Sequence, residues 1–496
     1  MSRVAEHTDT SRTGSTTGGS RVGVRALLGL VALVAGAVPF LLLLLLVQEE
    51  WSPLAALDED VAAGLNSVVD DSPVLVTVLQ AVTDLGGNGA AILVFTLTTV
   101  FLLIRGQRRL AAFAATTGVG LAVLVPVTKA LVDRARPVVA APVSDLPSNA
   151  SFPSGHATVS LATYGMLALL ALPAVRRGLR PWVVVAALLV ALAVGFTRLA
   201  LGVHFVTDVL AGWALAAGLL AVTTAAFRGW QHDHHRPTEL LDPLHVEPHA
   251  RPHLATSGQT ALPDGRRTVA RLLTAAAALA ATLVVLGLLV SAVLGDSVIG
   301  RFDRAVVEAL TGARSATLTD VATAVGTLSG TPAFVAVSLT LVVVALAVTG
   351  SRRPVLFVLV TVLGELGLYF VVSRTVDRAR PSVADLTAGL ATNASWPSGH
   401  VAAAAALYGA LAALVVTLAR GRWRWAVLAV PVLVAPAVGL ARIYVAAHYP
   451  TDVLAGLVLG TAWVLVCARY LLPGVRGTAG YPRSVAAPAP ATADVP

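Results

Sequence analysis

The chain has 496 residues, of which 56% are hydrophobic and only 12% charged, with a formal net charge of +8 and a mean hydropathy of +0.80. Soluble domains carry about 25% charged residues, so this composition excludes a soluble enzyme and points to a chain folded within a bilayer. The lone cysteine, Cys467, excludes an intramolecular disulfide and a cysteine-anchored zinc site. The excess of Lys and Arg is that of cytoplasmic loops rather than of nucleic-acid binding, because no polar segment is long enough to carry a fold for it.

Residues 1–22, rich in Ser, Thr and Gly, are expected to form a disordered N-terminus. The run VGVRALLGLVALVAGAVPFLLLLLLV (22–47) exceeds the roughly 20 apolar residues that cross a bilayer as a helix. It has no obvious small-residue cleavage site and many similar runs follow, so it reads as a first span and not a signal peptide. Further spans are predicted near 74–104 (long or broken), 110–132, 155–175, 181–201 and 205–227. Residues 228–268, polar and rich in Pro, His and Arg, form a linker. A second set follows near 269–294, 332–349, 354–373, 399–418, 424–442 and 450–472, and residues 474–496 form a disordered tail. The expected fold is an all-α integral membrane protein of about 12 transmembrane helices, in two six-helix domains at 23–227 and 269–473.

Compact basic loops fall after even-numbered spans: RGQRR (105–109), RRGLR (176–180), SRRP (351–354) and RGRWR (420–424). The loop after the first span is acidic instead. Cytoplasmic loops collect Lys and Arg, so both termini and the linker are expected in the cytoplasm of a bacterial-type cell membrane. The loops after spans 3, 5, 9 and 11 then face outward.

Three of the most unusual stretches occur twice. VDRARPVVA (132–140) recurs as VDRARPSVA (376–384), NASFPSGH (149–156) as NASWPSGH (393–400), and HFVTDVLAG (204–212) as HYPTDVLAG (448–456), all at an offset of 244. A constant offset across three separated blocks marks a tandem duplication. Six helices return the chain to its starting side, so the copies form a parallel repeat.

Within the first copy, Lys129, Arg136 and Arg198 gather three cations at one membrane surface, where charges are costly and usually functional. Lys129 and Arg136, seven apart, are expected on one helix face, with Pro137 ending the helix. Three cations suit a dianionic phosphate, which Arg grips with two oxygens at once. Pro153-Ser154-Gly155 opens the next helix: Ser caps it, and Gly lets an anion approach the free backbone N–H groups. His156 rides on that first turn. His204 and Asp208 are spaced as a helical i, i+4 pair, so the carboxylate takes one ring N–H and leaves the other nitrogen bare for attack. That is the pattern of an oriented nucleophile.

K-x6-RP, PSGH and R-x5-H-x3-D, in this order, resemble the three signature motifs of the type 2 phosphatidic acid phosphatase superfamily, which includes vanadium haloperoxidases and bacterial acid phosphatases. The six-span unit with an outward-facing site looks like its membrane branch. The resemblance implies a metal-independent, cofactor-free hydrolysis of a lipid phosphate or diphosphate drawn from the bilayer. It also implies that His204 forms a phosphohistidine, Asp208 orients it and His156 protonates the leaving oxygen. Lys129, Arg136, Ser154, Gly155 and Arg198 would hold the phosphoryl oxygens. Thr197 stands where the family usually has Ser before the arginine and keeps the hydroxyl.

The second copy retains Arg380, Ser398, Gly399, His400, Arg442, His448 and Asp452, of which His400, His448 and Asp452 are the counterparts of the catalytic set. Ser373 takes the lysine position and Ala441 the hydroxyl position. Arg374 is adjacent, but one helical step turns it about 100° away. An impaired or substrate-shifted second site is expected. Glu365, inside span 9 where the first copy has Leu121, is either functional or an interhelical hydrogen-bonding group. Asp84 either lines an outer vestibule or caps its helix before Gly86-Gly87. The irregularly spaced linker histidines (His232, His234, His235, His245, His249, His253) belong to a tether, and Asn149 and Asn393 have structural roles beside the anion-binding turns.

Two other functions share parts of this pattern. A phosphotransferase, passing the phosphoryl-bearing group to an alcohol instead of water, has the same motifs. A 6+6 repeat transporter of an anionic substrate has the same topology, but its site lies near the bilayer midplane, whereas these charges cluster at one surface.

Overall fold

The computed structural model of the protein describes residue 34 and residues 36–139, 142–143, 148–233 (backbone alone for 228–233), 242–250, 262, 264–383 and 394–472. The expected disordered ends, Asn393, much of the linker and the linker histidines other than His245 and His249 lie outside the residues whose side chains are described. All secondary structure among the described residues is helical. The chain divides into two units, Met1–Glu247 and Pro248–Pro496.

The first unit runs α1 (Gly36–Gln48), α2 (Ser52–Val69), α3 (Pro73–Asp84), α4 (Asn88–Ile104), α5 (Arg108–Val132), α6 (Gly155–Ala171), α7 (Arg180–Ala200) and α8 (Val206–Asp233). The second runs α9 (Arg266–Leu288), α10 (Val298–Gly312), α11 (Ala316–Thr327), α12 (Thr331–Thr349), α13 (Arg352–Val376), α14 (Gly399–Leu418), α15 (Ala429–Tyr444) and α16 (Pro450–Leu471). Among the described residues, ten helical stretches are long and apolar enough to cross a membrane; α3–α4 and α11–α12 each count as one. The bent pair α1–α2 adds an eleventh at most, and α6 is a shorter apolar helix of 17 residues. α6 ends at Ala171, before the predicted residue 175: Leu172 still has helical angles (φ −50°, ψ −41°), but Pro173 has no N–H with which to continue the helix.

The segment after the first span is not the loop that its acidic composition predicts. It is α2, turned 91° from α1, with Pro53 in its first turn, a position that costs no hydrogen bond. Its counterpart α10 is capped by Ser297, whose hydroxyl accepts from Ile299 N at 3.1 Å. Each brings one buried aspartate, Asp58 or Asp303, to the site end of its unit. The first unit's core packs Phe95, Leu102, Phe113 and Met166 among α4, α5 and α6; the second's packs Phe357, Leu407, Leu459 and Trp463 among α13, α14 and α16.

Two crossings fix the site. A Cβ on Gly212 of α8 would lie 2.7 Å from the Ser154 carbonyl oxygen, and one on Gly456 of α16 would lie 2.6 Å from that of Ser398. Only glycine allows α8 and α16 this close to the Ser154 and Ser398 turns. The turns into α8 and α16 pass through left-handed residues, Gly202 (φ +67°) and Ala446 (φ +64°); the alanine carries the strain a Cβ brings there.

Candidate active site

The structure collects the first copy's motif residues around one cavity of about 740 Å³, lined by Lys129, Arg136, Gly155, His156, Arg198 and His204. The route differs from the expected one. α5 ends at Val132, where Asp133 takes a left-handed conformation (φ +46°) as C-cap. Arg136 is therefore on the following extended segment and not on a helix face shared with Lys129. It returns to the site by donating to Val203 O at 2.7 Å and to Asn149 O and Oδ1 at 3.0 and 2.6 Å. Asn149 also lines the cavity. Lys129 donates to the carbonyl of Ala150, and Arg198, near the end of α7, donates to Thr83 Oγ1 at 3.0 Å.

Ser154 caps α6, its hydroxyl accepting from Ala157 N at 3.5 Å. Its own N–H donates to Asp208 O at 2.9 Å, which ties the anion-binding turn to the start of α8. Asp84, the last residue of α3, is exposed; its neighbour Thr83 is the buried group that meets Arg198.

His204 precedes α8, so it and Asp208 do not share a helix face as their spacing suggests. Asp208 reaches back instead: its Oδ2 accepts from Phe205 N at 2.9 Å and lies 3.3 Å from His204 Nδ1. Ser151 Oγ donates to the same oxygen. With Nδ1 turned to the carboxylate, Nε2 faces the cavity, 3.3 Å from Arg136 Nη1. Burial holds the imidazole well below its ordinary pKa, down to about 4; the bond to and charge of Asp208 oppose this, and Arg136 and Arg198 reinforce it. At neutral pH His204 is therefore uncharged, and with the proton on Nδ1 its Nε2 electron pair accepts from Arg136.

The second unit repeats the arrangement with differences. Arg380 donates to Ala447 O at 2.5 Å and lies 3.4 Å from His448 Nε2. Ser395 Oγ and Tyr449 N donate to Asp452 Oδ2 at 2.6 and 2.8 Å. His448 Nδ1 lies 3.9 Å from that oxygen and 2.8 Å from the Ser395 carbonyl, so its ring is turned toward the backbone. Burial, reinforced by Arg380 and Arg442, again keeps this imidazole well below its ordinary pKa. Ser373 is buried at the lysine position, whereas Arg374 is exposed. The ring of Tyr369 covers the turn: a Cβ on Gly399 would lie 2.8 Å from it, while one on Gly155 would lie 3.6 Å from the equivalent Val125. Glu365 is buried in α13.

The motifs do not reveal one ion network, present in both units. Arg134 bridges Asp208 and Asp58, and Arg378 bridges Asp452 and Asp303. A sequence signal for the outer carboxylate exists: D-x2-V-x3-L occurs at Asp58, Val61 and Leu65 and again at Asp303, Val306 and Leu310. Its offset is 245 rather than 244, so a search at constant offset passes over it.

These sites and their helices define a class. The chain matches the PAP2 superfamily over residues 109–231 and again over 354–474. It carries two domains of that superfamily, each spanning its unit's three repeated blocks.

Among particular proteins, it is similar to an undecaprenyl-diphosphatase of Sulfolobus acidocaldarius, 32% identical over 116 residues, 23% of this chain and 51% of the relative. It is also similar to a phosphatidylglycerophosphatase B of Bacillus subtilis, 40% identical over 97 residues, 19% of this chain and 45% of the relative. The chain spans about half the length of these curated relatives. A crystal structure of a transmembrane PAP2-type phosphatidylglycerolphosphate phosphatase from Bacillus subtilis is similar at 27% identity and a TM-score of 0.35, covering 41% of this chain and 98% of that one.

Proposed function

We propose that the first unit is a metal-independent phosphatase acting on a lipid phosphate or diphosphate at the extracytoplasmic face. The observation that carries the reading is the placement of uncharged His204, backed by Asp208, at a cavity lined by three cations. His204 Nε2 attacks phosphorus, and the bond to the leaving oxygen breaks with its electron pair. His156 takes up a proton when the substrate's phosphate dianion enters beside it, and passes that proton to the leaving oxygen. Water then attacks the phosphohistidine and gives a proton back to His156, and the N–P electron pair returns to Nε2. Lys129, Arg136, Arg198 and the N–H groups of the Ser154-Gly155 turn stabilise the charge on the phosphoryl oxygens, and such stabilisation supplies most of the rate enhancement in phosphoryl transfer.

The cavity also supports a lipid substrate. Beyond the cations it continues between α4 and α5 along Phe95, Val100, Ala115 and Gly118. From Asn88 to Val100 it follows twelve residues of helix, about 18 Å at 1.5 Å per residue, more than half of a hydrocarbon core about 30 Å thick.

Phosphate release by purified protein across phosphatidate, phosphatidylglycerophosphate, polyprenyl diphosphates and sphingoid phosphates tests the class. Turnover of at least one, retained in EDTA and inhibited by vanadate, is expected; activity lost in EDTA and restored by magnesium contradicts the reading. For sidedness, a cysteine at exposed Val138 should react with an impermeant thiol reagent outside intact cells, and one at Gly178 should not. The reverse pattern places hydrolysis in the cytoplasm.

A further inference from the structure

Both units hold their histidine-orienting aspartate in a chain of charges that reaches an outer helix. Asp208 uses its two oxygens for different tasks. Oδ2 serves His204, Ser151 and Phe205 N, while Oδ1 accepts only from Arg134 Nη1 among the described contacts, at 2.7 Å. The other arm of that guanidinium, Nη2, donates to Asp58 Oδ2 of α2 at 2.9 Å. Thr207 closes the ring: its N–H and hydroxyl donate to Asp58 at 3.0 and 2.5 Å, and the hydroxyl accepts from Arg134 at 2.7 Å. Arg134 also stacks over Phe205, 4.3 Å from the ring centre.

The second unit builds the same object from Arg378, Asp303, Thr451 and Tyr449. Arg378 donates to Asp452 Oδ1 at 2.5 Å, to Asp303 Oδ2 at 2.8 Å and to Thr451 Oγ1 at 2.8 Å. Thr451 donates to Asp303 at 3.0 and 2.5 Å, and the guanidinium lies 4.5 Å from the Tyr449 ring centre. The aspartate's neighbours meanwhile change from Leu57, Glu59 and Asp60 to Phe302, Arg304 and Ala305. The network keeps its geometry while the residues beside the aspartate change.

We infer that Arg134, clamped by Asp58, is a positioning residue that fixes the orientation and charge of Asp208 for attack by His204, and that Arg378 and Asp303 do the same for Asp452. The inference rests on His204 being the nucleophile. A fully buried carboxylate beside an uncharged imidazole needs a countercharge, because an unpaired buried ion costs several kcal/mol. Arg134 supplies it. Asp58 then leaves the three groups with one net negative charge. That charge matches the positive charge the His204 ring gains when Nε2 bonds phosphorus while Nδ1 keeps its proton. Arg134 itself lies behind Asp208, away from the cavity, so it does not hold phosphate.

The test measures phosphate release from phosphatidylglycerophosphate and from a polyprenyl diphosphate by full-length protein carrying His448→Ala. Arg134→Gln should lower kcat by about 10–100-fold, the range seen when an outer partner of a reactive group is removed, with KM within about twofold. Asp58→Asn, which keeps the side chain's shape, should lower kcat less, and the double variant should be no worse than Arg134→Gln alone because Asp58 acts through Arg134. Arg134→Lys should recover part of the loss. A raised KM at unchanged kcat would make Arg134 a phosphate ligand, and additive losses would make Asp58 independent of it; either overturns the inference. If Arg134→Gln does not accumulate as folded protein, Asp58→Asn and Thr207→Val carry the same readout, and full kcat in both overturns it. Turnover by His204→Ala would instead refute the nucleophile on which the inference rests.

Discussion

The two units hold the same histidines, aspartates and arginines but differ in what surrounds the phosphate. In the first, Lys129 completes three cations, and the groove beyond them is walled by Ala91, Gly118, Ala122 and Val125. In the second the aligned positions carry Ser373 in place of the lysine and Phe334, Val362, Leu366 and Tyr369 in place of the small groove residues. Phe334, Val362 and Tyr369 pack into or against the second core. The nucleophile pair is also looser, at 3.9 Å against 3.3 Å. Two of these changes bear directly on an anion at the turn: one cation fewer, and a ring against Gly399. The duplicated unit thus keeps the motif histidines, aspartates and arginines while the residues around them change.

The largest expected effect separates the two histidines. His204→Ala should lower phosphate release by about three orders of magnitude or more, as removal of a nucleophile does, whereas His448→Ala should cost less than about twofold. Equal losses at matched protein level would show two equivalent sites. Next is a reciprocal exchange at one position. Val125→Tyr should place a ring over the first unit's turn and lower its turnover by about tenfold, the scale of losing one oriented donor to the phosphoryl group. Ser373→Lys with Tyr369→Val, in a His204→Ala background, should raise the residual activity by a similar factor. No gain there would mean that neither the lysine nor the ring separates the units. The smallest effect is at Arg374, where Ala in the same background should change turnover less than about twofold because the side chain is exposed; a large loss would identify it as the missing cation.

Most of this is legible in the chain, for identifiable reasons. Long apolar runs mark spans because a bilayer sets their length, and three blocks at one offset mark the repeat. The convergence of Lys129, Arg136, His156, Arg198, His204 and Asp208 follows from their types and order. Local geometry is less legible. The left-handed Asp133 cap takes Arg136 off the helix, and His204 lies before α8, because backbone conformation at helix ends depends on contacts made by distant segments. The acidic segment 49–73 hides α2, since that helix buries only Asp58, Ala62, Asn66 and Val69, too few apolar residues to mark it as a span against its run of acidic ones. Tyr369 gives no signal in the sequence because its importance arises only from its neighbour across the turn, Gly399.

The most direct measurement is to identify the residue that carries the phosphoryl group. Full-length protein mixed with substrate labelled at its terminal phosphate with phosphorus-32, quenched in alkaline detergent and digested, should yield label on the peptide bearing His204. The label should disappear in His204→Ala and persist in His448→Ala. Label on the His448 peptide in equal amount would contradict confinement of catalysis to the first unit, and the absence of any histidine-bound label under burst conditions would contradict covalent catalysis by His204 itself.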